Sequence, residues 1–179
     1  MLRTSPIIDD MSEDPPRSAI GTDWQLFTDQ VMGGVSRGNM IRKVIGGRSA
    51  IHMGGDVSLE NNGGFIQISL DLAPAGEVLD AQNWNGIEVD VYGKACEYEL
   101  RLRTSDLPQR WQSYRQAFTV ETSWKTVKLP FDKFELHRTE TPLNILRLRR
   151  LGLVAIGRAF SVDFALGGIR FFTQLPVGS

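Results

Sequence analysis

At 179 residues the chain suits one domain that buries a sizeable core. Its hydrophobic share of 41% and charged share of 23% are those of a globular protein, which excludes a disordered or coiled-coil chain. Lys and Arg number 20 against 21 Asp and Glu, a net charge of -1, so no dominant sign argues for a general nucleic-acid or membrane-surface binder. Cys96 is the only cysteine, which excludes an internal disulfide and a cysteine-cluster metal site and suits a reducing compartment. Residues 1–22 lack a basic start followed by an apolar run, and no apolar stretch is long enough to cross a bilayer. The expectation is a cytoplasmic protein, peripheral to a membrane at most.

Residues 1–21 are rich in Ser, Pro and Asp and read as an arm, partly mobile or packed along the domain. Trp24-Gln25-Leu26-Phe27 brings the first large apolar groups. Asp29-Gln30-Val31-Met32-Gly33-Gly34-Val35-Ser36 follows, with a carboxylate, a Gly-Gly pair and a hydroxyl just before the first clear strand. The glycines permit a sharp turn or a close approach, and Asp29 and Ser36 are residue types that bond turn amides.

Gly38 to Val44 and Ser49 to Met53 suit short strands parted by Gly46-Gly47. Val57-Ser58-Leu59 leads into Asn61-Asn62-Gly63-Gly64, and Phe65 to Leu72 then alternates strictly, which predicts a tight hairpin with Ile66, Ile68, Leu70 and Leu72 on one side. Alternation recurs at Ile87 to Val91 and at Tyr98 to Arg103. A loop from Ser105 to Gln112 precedes strands at Tyr114–Val120 and Trp124–Leu129, and Pro130 to Phe134 suits one helical turn. Leu143 to Leu151 could form one or two helical turns. Closing strands fit Leu151–Ile156, Phe160–Leu166 and Ile169–Phe172, parted by Gly157 and Gly167-Gly168. Many short strands with Gly-rich turns and no long helix predict an all-β, two-sheet sandwich. The domain is expected over residues 22–173, with a tail at 174–179.

Chemistry is sparsely signalled. His52 and His137 lie far apart without metal-ligand spacing, and no Gly-x-Ser-x-Gly elbow occurs. The glycine runs precede strands where a phosphate loop needs a helix. Asp29, Glu60, Asp71, Glu88, Asp90 and Glu99 could in principle supply a glycosidase pair, but strand carboxylates at outward positions usually form a solvated face. Asp56, Glu60, Asn61 and Asn62 offer oxygens for Ca²⁺ without the spacing of a calcium loop. Glu97, Glu99, Arg101 and Arg103 form a polar stripe, either cross-strand ion pairs or a face gripping an acidic or sugar ligand. Arg147, Arg149 and Arg150 read as an exposed turn rather than a phosphate site. Of the four tryptophans, Trp84 and Trp111 lie in polar loops, where a ring can stack on sugar or anchor a partner.

Trp24 followed by Asp29 to Ser36 and Gly38 resembles the opening signature of the complex I intermediate-associated protein 30 family, a tryptophan and then Asp-x-Val-Met-Gly-Gly-x-Ser. Leu59-Glu60-Asn61-Asn62-Gly63-Gly64-Phe65 resembles its second hallmark. Weaker echoes are Trp84-Asn85-Gly86-Ile87, Tyr98 to Arg103, Tyr114 to Phe118, Trp124 to Phe131 and Leu151-Gly152-Leu153, so the resemblance covers about residues 22–173. A departure lies near Phe134 to Thr141, where the family often has an Arg-Gly pair and this chain has His137-Arg138-Thr139.

The resemblance implies a galactose-binding-like jelly roll and a non-enzymatic, chaperone-like module that binds assembly intermediates of respiratory NADH:ubiquinone oxidoreductase. The acidic, non-amphipathic start resembles compact bacterial members. The alternative is a carbohydrate or small-ligand-binding sandwich, because the fold is shared with such modules. The candidate binding residues are Trp24, Asp29, Ser36, Asn61, Asn62, Trp84, Arg101, Arg103 and Trp111. No catalytic residue, metal or cofactor is expected.

Overall fold

The structure, a computed structural model, describes residues 5–174. Apolar residues at every second position drive the chain into strands, because only a pleated segment puts them all on one face. In chain order these are β1 (Ile7–Asp9), β2 (Gln25–Thr28), β3 (Arg37–Ile45), β4 (Arg48–Val57), β5 (Phe65–Asp71), β6 (Gly86–Gly93), β7 (Cys96–Thr104), β8 (Ser113–Val120), β9 (Lys125–Pro130), β10 (Glu135–His137), β11 (Leu148–Ile156) and β12 (Phe160–Phe172). Single 3-10 turns are the only helical pieces among the described residues. The chain is all-β, as expected.

The strands form two antiparallel sheets. The first runs β3-β4-β12-β6-β9, with β1 also paired to β12; the second runs β10-β8-β7-β11-β5-β2. Pairing fixes which apolar groups meet. Leu153 stands between Leu100 and Ile68, and Leu151 between Leu102 and Leu70, all buried. Ile51, Met53, Val89, Val91, Phe164 and Leu166 face them from the first sheet. Tyr98, Phe118 and Phe164 close one end of the core, with Tyr98 and Phe164 centred 5.0 Å apart.

Three expectations are corrected. The Asn61–Gly64 stretch is not a hairpin, because β4 and β5 belong to different sheets. β4 already has β3 on one edge and β12 on the other, so β5 has no free edge there to pair with. Asn61 and Asn62 do take the left-handed backbone their chemistry favours (φ 56° and 59°), but they turn a corner between the sheets. Phe160–Leu166 and Ile169–Phe172 are one strand, and Gly167-Gly168 is a shift of register against β6. The stretch from Leu143 holds only a short turn at Ile145–Arg147 before β11, so Arg149 and Arg150 lie on a strand and not in a turn.

The arm packs on the first sheet. β1 pairs with β12 and buries Ile8 and Asp9. Asp9 accepts the Trp24 indole N–H at 2.7 Å and the amides of Met11 and Ala19. β1 and β10, three residues each, are too short to show a period in sequence.

On the outer face of the first sheet Asp90 joins four strands. It accepts from Arg170 on β12 at 2.9 Å, Arg48 on β4 at 2.6 Å and the Thr126 hydroxyl on β9 at 2.6 Å, while Arg170 also holds Glu88 at 2.6 Å. Burial pushes the Asp90 carboxyl up, but the bonds from Arg170, Thr126 and Arg48 outweigh it and bring its pKa to about 2. A carboxyl depressed on folding stabilises the protein above its unfolded value near 4, and the gain disappears as pH falls toward 2. That linkage is worth about 2 kcal/mol. Asp90→Asn should therefore cost about 2–4 kcal/mol at pH 7 in urea unfolding. The gap to the unsubstituted protein should narrow between about pH 4 and pH 2, and a gap constant with pH would contradict this account.

Candidate functional site

The second sheet turns its outer face toward solvent, with no further layer over it among the described residues. Antiparallel register sets Arg150 between Asp71 and Arg103, and Gly152 between Ser69 and Arg101. Gly152 has no side chain, and a Cβ there would stand 2.6 Å from the Gln67 amide nitrogen, so the middle of the face dips under Gln67. The dip opens into a recess of about 470 Å³ whose lining includes Phe27, Val31, Phe65 and Leu107 with Arg103, Arg110, Arg149 and Arg150. A smaller recess of about 80 Å³ continues it to Arg101, Trp111 and Ser113, sharing Gln67, Arg103, Arg110 and Arg150.

Two loops wall this groove, and one buried carboxylate builds the first. Asp29 is fully buried and accepts the amides of Ser36 (2.9 Å), Gly64 (2.5 Å) and Phe65 (3.2 Å), together with the Ser36 hydroxyl. Ser36 Oγ in turn accepts the Ser58 amide at 2.8 Å. Burial raises the Asp29 pKa, and these bonds outweigh it, leaving a carboxylate below the ordinary range. The two Gly-Gly segments are thus tied to one side chain. A Cβ at Gly34 would collide with the Asp29 carboxylate, and one at Gly63 would stand 2.6 Å from it. Gly33 closes the turn at φ 86°. The loop so fixed leaves Val31 69% and Met32 65% exposed, with Val31 at the edge of the groove.

Arg103 builds the second wall. It donates to three carbonyls of the 105–112 loop, Gln109 at 2.9 Å, Gln112 at 3.1 Å and Leu107 at 3.2 Å, which sets Arg110 and Trp111 over the groove's far end. Burial lowers the Arg103 pKa, and Arg150, Arg149 and Arg110 lower it further, a sign that the guanidiniums oppose one another. His137 is also held below its usual value, by burial first and then by Arg101, Arg115 and Arg138. The polar stripe on β7 is resolved differently from cross-strand pairing. Glu99 bonds Arg101 two residues along its own strand at 2.9 Å, and Arg103 bonds backbone.

Of the residues singled out in the sequence, Arg101, Arg103 and Trp111 meet in the groove, Trp111 with 58% exposure. Asp29 and Ser36 lie behind its wall, and Asn61 and Asn62 are exposed at the corner between sheets. Trp24 and Trp84 are core residues, 2% and 8% exposed. Trp84 stacks on Phe171 at 4.7 Å, so its ring faces protein and not a ligand. Arg110, Arg149, Arg150, Gln67 and Ser113 were missed. They converge only once β7, β8, β11 and β5 pair, and the one signal in sequence was the recurrence of arginines at Arg101, Arg103, Arg149 and Arg150.

Two six-stranded antiparallel sheets with a grooved, uncovered face define a galactose-binding-like jelly roll. The family model described as complex I intermediate-associated protein 30 matches residues 16–167, and the chain belongs to that family. No curated protein matches it. Among solved structures it is similar to the family 11 carbohydrate-binding module of the cellulosomal cellulase Lic26A-Cel5E of Clostridium thermocellum (14% identity, 98% of both chains, TM-score 0.76). A family 11 module from the same organism, in complex with a beta-1,3-1,4-mixed-linked tetrasaccharide, is 15% identical over 96% of both chains with a TM-score of 0.74. A family 30 carbohydrate-binding module is 16% identical over 99% of this chain and 88% of its own, with a TM-score of 0.56. At these identities the likeness is one of fold.

Removing the Asp29 carboxylate takes the acceptor from the amides of Ser36, Gly64 and Phe65 and leaves the Ser36 hydroxyl only the Ser58 carbonyl at 3.2 Å. Asp29→Ala should cost about 3–5 kcal/mol in urea unfolding, and Asp29→Asn, which keeps one oxygen, distinctly less. A loss below about 1 kcal/mol for the alanine variant would contradict the hub. Trp84→Ala should cost about 3–5 kcal/mol, whereas Trp111→Ala should change stability by less than about 0.5 kcal/mol. Equal losses for the two would place Trp111 in the fold and not on its surface.

Proposed function

We propose that the chain is a non-catalytic binding module that takes a protein partner in the groove of the second sheet, and that the partner is an assembly intermediate of respiratory NADH:ubiquinone oxidoreductase. The observation that carries this reading is the exposed Val31 and Trp111 at the two recesses of a guanidinium-lined groove. Aromatic and arginine side chains beside apolar ones are the composition of a protein interface, and Val31 and Trp111 stand exposed, outside the core. The family's name supplies the class of partner. Catalysis finds no support in the groove: Asp71 is bound to Arg150 at 2.7 Å and Glu99 to Arg101, so neither carboxylate is poised as an acid or base.

A carbohydrate is the second reading. The free ring of Trp111 beside the recess favours it, as does the fold shared with a module that holds a mixed-linked tetrasaccharide.

Tagged protein should capture subunits of NADH:ubiquinone oxidoreductase from solubilised membranes of its host, and a strain lacking the gene should accumulate subassemblies on native gels. Trp111→Ala and Val31→Ser should each reduce recovery about tenfold with unfolding temperatures within about 2 °C of the unsubstituted protein. No recovered subunits together with unchanged assembly would defeat the reading. Calorimetric binding of mixed-linked glucan, abolished by Trp111→Ala, would put the carbohydrate in its place.

A further inference from the structure

The two outer faces of the sandwich use arginine differently. On the first sheet Arg48 and Arg170 meet Asp90 and Glu88. On the second, Arg101 meets Glu99 and Arg150 meets Asp71, but Arg103 bonds only neutral carbonyls. The side chains of Arg110 and Arg149, both exposed, have no hydrogen bond or ion pair among the described residues. Three guanidiniums therefore line one groove without an ion-pair partner among the described residues, and Asp71, the carboxylate in its lining, is taken by Arg150. Gathering like charges is unfavourable for folding, and the Arg103 pKa is lowered by burial first and then by Arg150, Arg149 and Arg110.

Ser113 adds an independent sign. It lines the inner end of the groove, is 5% exposed, and its Oγ has no hydrogen-bond partner among the described residues. A buried hydroxyl without a partner is disfavoured in the free protein, and a ligand oxygen would satisfy it.

We propose that Arg103, Arg110 and Arg149, with the Ser113 hydroxyl at the inner end of the groove, form a subsite for a carboxylate side chain of the partner, presented by an extended acidic segment with apolar neighbours. The inference rests on the protein-binding reading above and names the chemistry of that partner. Planar guanidiniums match carboxylate geometry. The groove crosses from β2 through β5, β11 and β7 to β8, four strand spacings or about 19 Å, the reach of about six extended residues. Beside those guanidiniums the groove carries Val31 and Phe65, and the Phe27 ring lies under the Arg150 guanidinium at 6.0 Å. Trp111 then offers the one free aromatic face in the groove among the described residues. Guanidiniums and apolar groups lining one groove suit an acidic-apolar peptide better than a sugar chain, which stacks on successive rings.

The probe is a fluorescein-labelled hexapeptide alternating glutamate and leucine, ends blocked, titrated by anisotropy with the full-length protein. The glutamate peptide should bind, its glutamine version about tenfold more weakly, and Arg110→Glu with Arg149→Glu should weaken binding about tenfold or more. Ser113→Ala should weaken it about threefold, and raising salt from about 50 to 500 mM should weaken it further. Both arginines are exposed, so the double variant should unfold at the same temperature. Equal binding of the two peptides, or no effect of the double variant, would overturn the proposal. So would polygalacturonate binding where the peptide does not, which would assign the subsite to an acidic polysaccharide. Displacement of the peptide by equimolar sodium phosphate would reduce it to an inorganic-anion site and overturn it too. The two readings fail separately. Capture of dehydrogenase subunits that survives the double variant defeats the subsite alone, and absence of capture with intact peptide binding defeats only the identity of the partner.

Discussion

The Asp29 carboxylate is the constraint on which the rest of the groove depends. A fully buried charge survives folding only when donors replace its water, and here three amides and a hydroxyl do so. Those donors come from two places in the chain, the turn leading into β3 and the corner between β4 and β5. One side chain thereby locks the start of the first sheet to the crossover into the second. Glycine at 34 and 63 follows from the same contact, since the carboxylate occupies the space a Cβ would need. The exposure of Val31 and Met32 follows as well, because a short turn pinned at its polar end has no room to fold its apolar residues inward.

Buried carboxylates recur as the joints of this molecule. Asp9 fastens the arm to Trp24, Asp29 fastens the crossover, and Asp90 fastens four strands of the first sheet. Each gathers donors from elements distant in sequence, where a nonpolar contact would fix distance but not orientation. The second sheet's outer face has no such joint at its centre. Gly152 and Gln67 leave a dip there, and its arginines are left partly uncompensated. One face is closed by charge pairing for the sake of the fold, and the other is left open.

Much of the fold was legible because strand alternation is local. Ile66, Ile68, Leu70 and Leu72 announce their buried side without any knowledge of their partners, and all four are buried. What was not legible is which edge a strand finds. Asn61-Asn62-Gly63-Gly64 carries the chemistry of a hairpin turn and adopts its left-handed angles, yet β4 has both edges occupied and the chain must cross over. The site was harder for the same reason. Trp84 sits among polar residues in sequence and is buried because the chain returns its ring onto Phe171 of β12. Arg103 and Arg150 are far apart in sequence and become neighbours only through the β7–β11 register. The Asp29–Ser36 and Leu59–Phe65 motifs were both readable, but the bond between them was not, since nothing in either motif names the other.

Arg103 shows why fold and site are difficult to separate on this face. Its guanidinium uses its fork on three carbonyls of the 105–112 loop, which positions Trp111 and Arg110, and its charge remains in the groove. A hydrogen bond from a cation to a carbonyl satisfies the donor without cancelling the charge, so the loop is ordered and the electrostatic field is kept. A lysine would supply the charge but not the planar fork that reaches three acceptors at once. The loop would then lose its anchor while the groove kept its potential. Geometry and charge are carried by one side chain, and that coupling is what lets a rigid antiparallel sheet present a shaped, positively charged surface without an α-helix among the described residues.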